Sequence, residues 1–558
     1  MKLRTIPALG LLLLAACGGG TTDPTPPLPA SCAAPAAMSL AVGAHQVIDP
    51  RLSGGCARLG GAAGDEEYLV VLFSGSGLET KTGVAGPYTF HIGDVGSVSV
   101  AAGGGQGDAR VWVAPEDEIE SAAVRFDAEL RRRESELHVV EAPGGPPAAV
   151  GPVAAPAVGE KRTFQVCSNS SCGQTTTVNA TARAVGQSVA IYADDANPQF
   201  ADTLQLEDYD EMVTVFDSHL YPIGTAAFGT PSDIDNNGVV LILISKRVND
   251  FTTNCVDGRV IGYFYGGDLL TTFAGSNKAE VFFTFAPAPA AGNCSAVVRR
   301  TALNQLKPTL IHEFQHMISF NQHRLVRSGN QEETWLNEGL SHLAEDLAGQ
   351  LIPNADCPGF NSCRSQFATG NVSNAYSYWL DPIRYALVFG ESSNGTLPER
   401  GAGFLFARWL LDQFGSGENG LAFTRALVGT NRLGQANIEA VTGQGFALLA
   451  GQWLLTSYAD DLPGLVEPSG KLAYDTWDFR TVMNNPANSG LFPNGYPLRP
   501  EIVASNAIRT GELKGGSGRY FLLRPGGTPK ELLLSGASGS TNQPEQELLA
   551  RLAVLRIK

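Results

Sequence analysis

Hydrophobic positions along the chain change their spacing several times, and each change marks a different kind of element. Between residues 31 and 118, short apolar runs such as Tyr68-Leu69-Val70-Val71-Leu72-Phe73 and Gly96 to Ala101 are separated by Gly-rich turns, which predicts an N-terminal β-sandwich-like domain. Residues 119–157 break that rhythm. Ser121 to Leu137 is charged and helical in pattern, with Arg131-Arg132-Arg133 along its polar side, and reads as a solvated helix. Val139 to Val158 is crowded with Pro, Ala and Gly; a linker is expected there, with a boundary near residue 157 where a propeptide could also end.

Within 158–462 the pattern shifts to strands followed by long helices. Strands are expected at Arg162 to Val166 and Ser188 to Tyr192, then a helix around Leu204 to Tyr221. Val239 to Ile244 is continuously apolar, as a strand buried on both faces should be, and Ala279 to Phe285 is a second such strand. Helices are expected over roughly 296–325, 333–349, 402–414 and 436–457. After about 463 the chain returns to turns and short strands, including Gly518 to Leu523, Glu531 to Leu534 and Leu552 to Ile557, and reads as a C-terminal β-domain. The fold class is α+β.

A length of 558 residues leaves room for two or three domains, and 43% hydrophobic with 17% charged residues is ordinary for a globular protein. The formal net charge of −16 and the lack of a basic run argue against nucleic acid as a partner. At the start, Lys2 and Arg4 precede a short apolar stretch from Ile6 to Ala16, the layout of a secretory signal over residues 1–16 and too short to span a bilayer as a helix. Leu14-Ala15-Ala16-Cys17 resembles a bacterial lipobox, which implies cleavage before Cys17, a lipid on that residue and a membrane anchor. Residues 17–30, rich in Gly, Thr and Pro, read as its tether. Nine cysteines are an odd number; with Cys17 set aside, eight remain in sequential couples. The simplest pairing in an oxidising compartment joins Cys32 with Cys56, Cys167 with Cys172, Cys255 with Cys294 and Cys357 with Cys363.

The segment with the most specific chemistry is Pro308 to Phe320. Leu310, Phe314, Met317 and Ile318 form the apolar stripe of a packed helix, and Pro308 suits its first turn. On that helix His312 and His316 lie one turn apart on one face with Glu313 beside them, the HExxH arrangement of zinc proteases. A catalytic zinc needs a third protein ligand. The metzincin pattern would put Gly and His where Ser319 and Gln322 stand, and His323 is one place out of register. The alternative is a Glu on a second helix, and Glu338 supplies it within Thr334 to Asp346. Leu336, Leu340, Leu343 and Leu347 form that helix's apolar stripe. Glu338 lies nearly opposite with Trp335 and His342, where it could simply face solvent. Gly339 inside the helix costs about 1 kcal/mol relative to Ala and points to a close approach of the two helices.

His-Glu-Phe-Gln-His followed by Trp-Leu-Asn-Glu-Gly-Leu-Ser resembles the gluzincin peptidases, most closely the hyicolysin-like bacterial neutral metalloproteases, over roughly residues 160–460. The resemblance implies a thermolysin-like domain: a mixed sheet whose edge strand binds extended peptide, then two helices carrying the site. It implies one Zn2+ on His312, His316 and Glu338, with Glu313 as general base for hydrolysis of protein or peptide substrates. Gluzincin aminopeptidases share Asn-Glu-Gly, but their Gly-x-Met-Glu-Asn motif is absent, which favours an endopeptidase. Thermolysin carries Asp four residues after the third ligand, where this chain has His342, and the oxyanion donor is open among Tyr376, Tyr378, Tyr385 and His342. The competing class is a surface adhesin or binding lipoprotein on the same scaffold; loss of a ligand or the base would be its sign, and all four residues are present.

Asp233-Ile234-Asp235-Asn236-Asn237-Gly238 matches the opening of a calcium loop, but Ile244 stands where an EF-hand needs Glu. Ca2+ is therefore the less favoured reading, and an Asx-rich turn launching the next strand is expected instead. The anchor reading has its own test. Cys17→Ser should abolish lipid attachment; mass spectrometry that finds unmodified Cys17 in the native protein, or a mature chain starting beyond it, would remove the anchor.

Overall fold

The computed structural model describes residues 28–32, 37–61, 64–79, 84–98, 122–137, 154–169, 172–252, 254–255, 258–390, 395–503 and 506–558. Cys17, the signal and most of the tether lie outside them. Among the described residues no helix is long and apolar enough to cross a membrane. The architecture is mixed, with three sheets and many helices.

Two of the sheets join the ends of the chain. The strand Tyr68–Ser74 lies between Gly518–Leu523 and Ala550–Arg556, antiparallel to both. Ala85–Asp94 likewise lies between Ala507–Lys514 and Lys530–Ser535. The separate N- and C-terminal β-domains expected from the sequence are thus one structure, because each central strand from one end takes its hydrogen-bond partners from the other. Alternation explains the apolar run at Tyr68. Val70 and Leu72 face the core between the two sheets with Phe90, Phe521 and Leu532. Leu69, Val71 and Phe73 face the larger core shared with the helices, where Phe73 and Val47 crowd Gly451 of the helix Phe446–Ala459. Gly96, expected in a strand, sits in the turn after Ala85–Asp94, and the run beyond residue 98 lies outside the described residues.

The third sheet is mixed, in the order Lys161–Cys167, Thr175–Val185, Val189–Asp194, Val240–Ile244, Val281–Thr284, Gly262–Phe264. Val240–Ile244 pairs in parallel with both neighbours and is buried throughout, as its unbroken apolar run requires. Sequence patterning passes over Thr175–Val185, whose Thr, Ala and Asn carry little apolar signal. Gly262–Phe264 is the edge strand, antiparallel to Val281–Thr284.

Three helices hold the candidate chemistry. The histidine helix Arg299–Phe320 starts nine residues before Pro308, so that proline lies inside the helix rather than in its first turn. The glutamate helix is Thr334–Leu351 and the arginine helix Leu397–Phe414. The single helix expected over 436–457 is two, Gly434–Thr442 and Phe446–Ala459, because Gly443 takes a left-handed conformation (φ 69°) at the break. All four cysteine pairs join as their spacing suggests.

Because Tyr68–Ser74 has C-terminal partners on both sides, ending the chain at Pro500 should leave the N-terminal strands without a sheet. Such a truncation is expected to be insoluble or rapidly degraded within residues 45–94; a soluble product with the parent's melting profile would contradict the pairing.

Candidate metal centre

The histidine helix presents its residues as its sequence dictates. Leu310, Phe314, Met317 and Ile318 are all buried, which fixes the helix rotation and turns His312 and His316 to the same side. Their Nε2 atoms lie 3.2 Å apart. Glu338 comes to the same point from the glutamate helix, with Oε1 3.3 Å from His316 Nε2 and Oε2 3.7 Å from His312 Nε2. Ligands about 2.0–2.1 Å from a tetrahedral zinc stand roughly 3.4 Å apart, so this donor set fits such an ion. Glu338 Oε1 is buried without a hydrogen bond of its own, as an atom reserved for a ligand would be.

The glutamate helix is buried on every side over most of its length, and Glu338 is 1% exposed, so the solvent-facing alternative does not hold. What covers that face is the arginine helix. A Cβ on Gly339 would lie 3.0 Å from the Gly403 carbonyl oxygen, so the close approach that Gly339 signals is to this third helix and not to the histidine helix. The contact brings Arg400 to Glu338, Nη1 to Oε2 at 2.7 Å, and Arg400 Nη2 reaches Asp127 at 2.6 Å. Burial alone would raise the Glu338 carboxyl. Arg400 and the two histidines outweigh it and hold the group well below the usual range.

Each histidine is supported from behind. Glu345 Oε1 accepts from His312 Nδ1 at 2.7 Å and also lies 3.2 Å from His342 Nδ1. Glu345, one turn beyond His342, thus stands behind the His312 ring, where a carboxylate fixes a ligating imidazole's orientation, and His342 shares it. Burial would lower His312, but the Glu345 hydrogen bond and surrounding carboxylates lift it to about 9; His316, under burial and the Arg131 guanidinium, falls to about 4. Both imidazoles must be neutral to bind a metal, so metal binding would displace any proton held by His312. Glu313 Oε2 accepts from the Phe264 amide of the edge strand at 2.8 Å, and burial raises its carboxyl to about 7.

The other sequence candidates are placed elsewhere. His323 pairs loosely with Glu332 at 3.9 Å, and Glu332 accepts from Gly434 and Asn437. Glu333 holds the Trp335 indole. Tyr376 packs on Phe492 and Tyr378 stacks on Trp453.

The helix Ala122–Ser135 is the largest departure from the sequence reading. It is not a solvated helix: Arg131 and Glu134 are buried, and Arg131 Nη1 donates to Glu134 Oε2 at 2.5 Å. Sequence reasoning misses Asp127, Arg131, Glu345 and Arg400. Only Glu345 had a local signal, being seven residues after Glu338 and so on the same helix face.

No family model matches the chain. It is similar to the neutral metalloprotease ShpI of Staphylococcus hyicus, 30% identical over 210 residues, which are 36% of this chain and 42% of that protein. The match thus spans less than half of either length. This likeness, together with the grouped His312, His316 and Glu338, supports a metalloprotease relationship and a metal cofactor.

Glu345→Gln should weaken metal binding by about 10–100-fold, the usual effect of removing a carboxylate behind a ligating histidine. A competition titration with a chromogenic chelator reads this directly, and unchanged affinity would show that Glu345 does not orient His312.

Proposed function

We propose that the protein is an extracytoplasmic zinc endopeptidase in which His312, His316 and Glu338 hold the ion and Glu313 is the general base. The observation that carries this reading is the convergence of the three donor side chains within 3.2–3.7 Å, with Glu313 next in sequence to a ligand. Held by His312, His316 and Glu338, a zinc ion would supply Lewis acidity to the scissile carbonyl and to a water.

The chain's own residues do the rest. Glu313 takes the proton of the attacking water and returns it to the departing amine. The Phe264 amide fixes one of its carboxylate oxygens, which leaves the other for the proton. Glu345 holds His312 by Nδ1, so that Nε2 is the atom offered to the ion. Arg400 keeps Glu338 anionic in a buried place. Four disulfides fit an oxidising compartment, and attachment to the cell envelope through Cys17 completes the proposal.

Glu313→Gln is expected to retain zinc and lose at least about 10²-fold in peptide hydrolysis, since only proton transfer is removed. Ala at His312, His316 or Glu338 should lose metal and activity together. Metal analysis alongside cleavage of casein and a quenched peptide separates the cases. A zinc-replete parent that cleaves neither substrate would favour the binding-lipoprotein reading, and full zinc occupancy in Glu338→Ala would remove Glu338 as a ligand.

A further inference from the structure

The turn Asp233 to Gly238 launches the strand Val240–Ile244, and its acidic residues do not stand alone. Asp233 Oδ1 accepts from the amides of Asn237 and Gly238 at 3.0 and 3.2 Å. Glu280, at the start of the neighbouring strand, accepts from the Ile234 amide through Oε1 at 2.9 Å. Asp235 uses Oδ2 for Asn237 Nδ2 at 2.9 Å and for Arg162 at 3.5 Å. That leaves Asp235 Oδ1 and Glu280 Oε2 buried without a hydrogen bond of good geometry, although the Ser232 hydroxyl comes close enough to Glu280 to favour its charged form, and Glu280 is only 1% exposed. One carboxylate oxygen from each of Asp233, Asp235 and Glu280 lies within 4.8 Å of the others.

Two buried carboxylate oxygens without good hydrogen bonds beside a third acid are costly unless something positive lies between them. Arg162 reaches only the oxygen of Asp235 that is already satisfied. We propose that Asp233, Asp235 and Glu280 form a Ca2+ site. Glu280, supplied from an adjacent strand, replaces the acid that a continuous loop would take from the position of Ile244. An all-oxygen, carboxylate-rich set suits a hard cation, and an irregular set completed by water suits Ca2+ better than Mg2+, which demands near-octahedral geometry. Burial raises the Asp235 and Glu280 carboxyls, a strain that a bound cation relieves. The site is structural in effect. It ties the start of Val240–Ile244 to the start of Val281–Thr284, which pairs with the edge strand that steadies Glu313.

The test uses the zinc-replete full-length protein in buffer passed over chelating resin, melted at increasing Ca2+ or Mg2+ up to about 10 mM, above the range typical of extracellular calcium modules. A saturable rise in Tm with Ca2+, much smaller with Mg2+, is expected. It should vanish in Glu280→Gln and weaken in Asp233→Asn, a rim substitution that leaves the core intact. No calcium response in the parent, or a response in both variants equal to the parent's, overturns the site. A Tm that follows pH but not Ca2+ would show instead that the carboxylates share a proton.

A different observation carries a second inference, which rests on the peptidase reading: the helix Ala122–Ser135 covers the substrate groove from within the chain. An extended peptide pairing with the edge strand needs that strand's outward backbone groups. The helix takes the Phe264 C=O of that strand, which accepts from Arg131 Nη2 at 3.2 Å, and the Gly266 N–H in the turn just beyond it, which donates to Glu134 Oε1 at 2.5 Å; Phe264 N–H stays with Glu313. Phe126 stacks on Phe251 and meets Tyr263 edge-on, fixing the helix against the sheet. Asp127 is tied to Arg400 beside Glu338. Glu313 is 6% exposed and His316 and Glu338 are 1% exposed, while the His312 side chain keeps 13%.

Replacing Arg131 and Glu134 with Ala together should raise the initial rate on a quenched peptide at least about tenfold at equal zinc content, given the loss of charge-assisted bonds to the strand. Lower activity or lower zinc in the variant would make the helix a structural part of the site and overturn the inference. A separate reading needs no turnover: the association rate of a peptide hydroxamate with the Glu313→Gln protein should rise with the same substitutions. An unchanged rate overturns the cover, whereas a raised rate in a parent that never cleaves would overturn the peptidase reading alone.

Discussion

The buried ion pair between Arg400 and Glu338 is the contact on which the site depends. A carboxylate taken out of water is costly, and it stays ionised only if an opposite charge is held against it with good geometry. Here that charge arrives on a separate helix, and it can arrive only because Gly339 and Gly403 let two backbones approach to a distance that a Cβ on Gly339 would crowd. The glycine contact thus sets the position of the guanidinium, the guanidinium sets the ionisation of Glu338, and an ionised Glu338 completes a donor set with two imidazoles. The second arm of Arg400 extends the chain of dependence to Asp127, so that a helix far upstream in sequence shares the same charge balance.

The remainder of the molecule holds these helices at fixed distances. The mixed sheet supplies a rigid edge to which Glu313 is hydrogen-bonded through its backbone. The two sheets built from both chain ends press on the other side through Phe446–Ala459, which packs between Phe73 and the larger core. Strands 45–94 cannot leave without exposing the C-terminal strands they pair with. The N-terminal strands between His45 and Asp94 are accordingly part of the folded body, and a boundary near residue 157 separates elements in sequence without separating them in space.

How much of this was readable in the sequence follows from how local each signal is. The histidine helix and the glutamate helix were legible because a 3.6-residue period and an apolar stripe are written within about twenty neighbouring residues. The disulfide couples were legible because each pair lies in one stretch. What was not legible is pairing across distance: nothing in Tyr68 to Phe73 indicates that its neighbours are residues 518–523 and 550–556. Arg400 and Asp127 look like ordinary surface charges until the helices are packed. The solvated reading of Ser121 to Leu137 failed for the same reason. A charged helix is normally exposed, and only the tertiary fold shows that Arg131 bonds a carbonyl of the edge strand and Glu134 an amide of the turn that follows it.

A buried charge cluster of this kind also constrains how the molecule can work. Glu134, Asp127, Glu338 and Glu313 surround Arg131, and Glu338 and Asp127 hold Arg400; burial and these neighbours together push the Glu313 carboxyl up and hold the Glu338 carboxyl down. Moving the helix Ala122–Ser135 would withdraw one guanidinium, Arg131, and two carboxylates, Asp127 and Glu134, so the donor set would be left facing one more unit of positive charge while its access to solvent would increase. Arg400 would lose Asp127 but keep Glu338, because the glycine contact that places it belongs to the two helices that remain. The metal-holding geometry and the cover are in this sense separable: the first rests on helix-to-helix packing, the second on side chains that hold the Phe264 carbonyl of the edge strand and the Gly266 amide just beyond it.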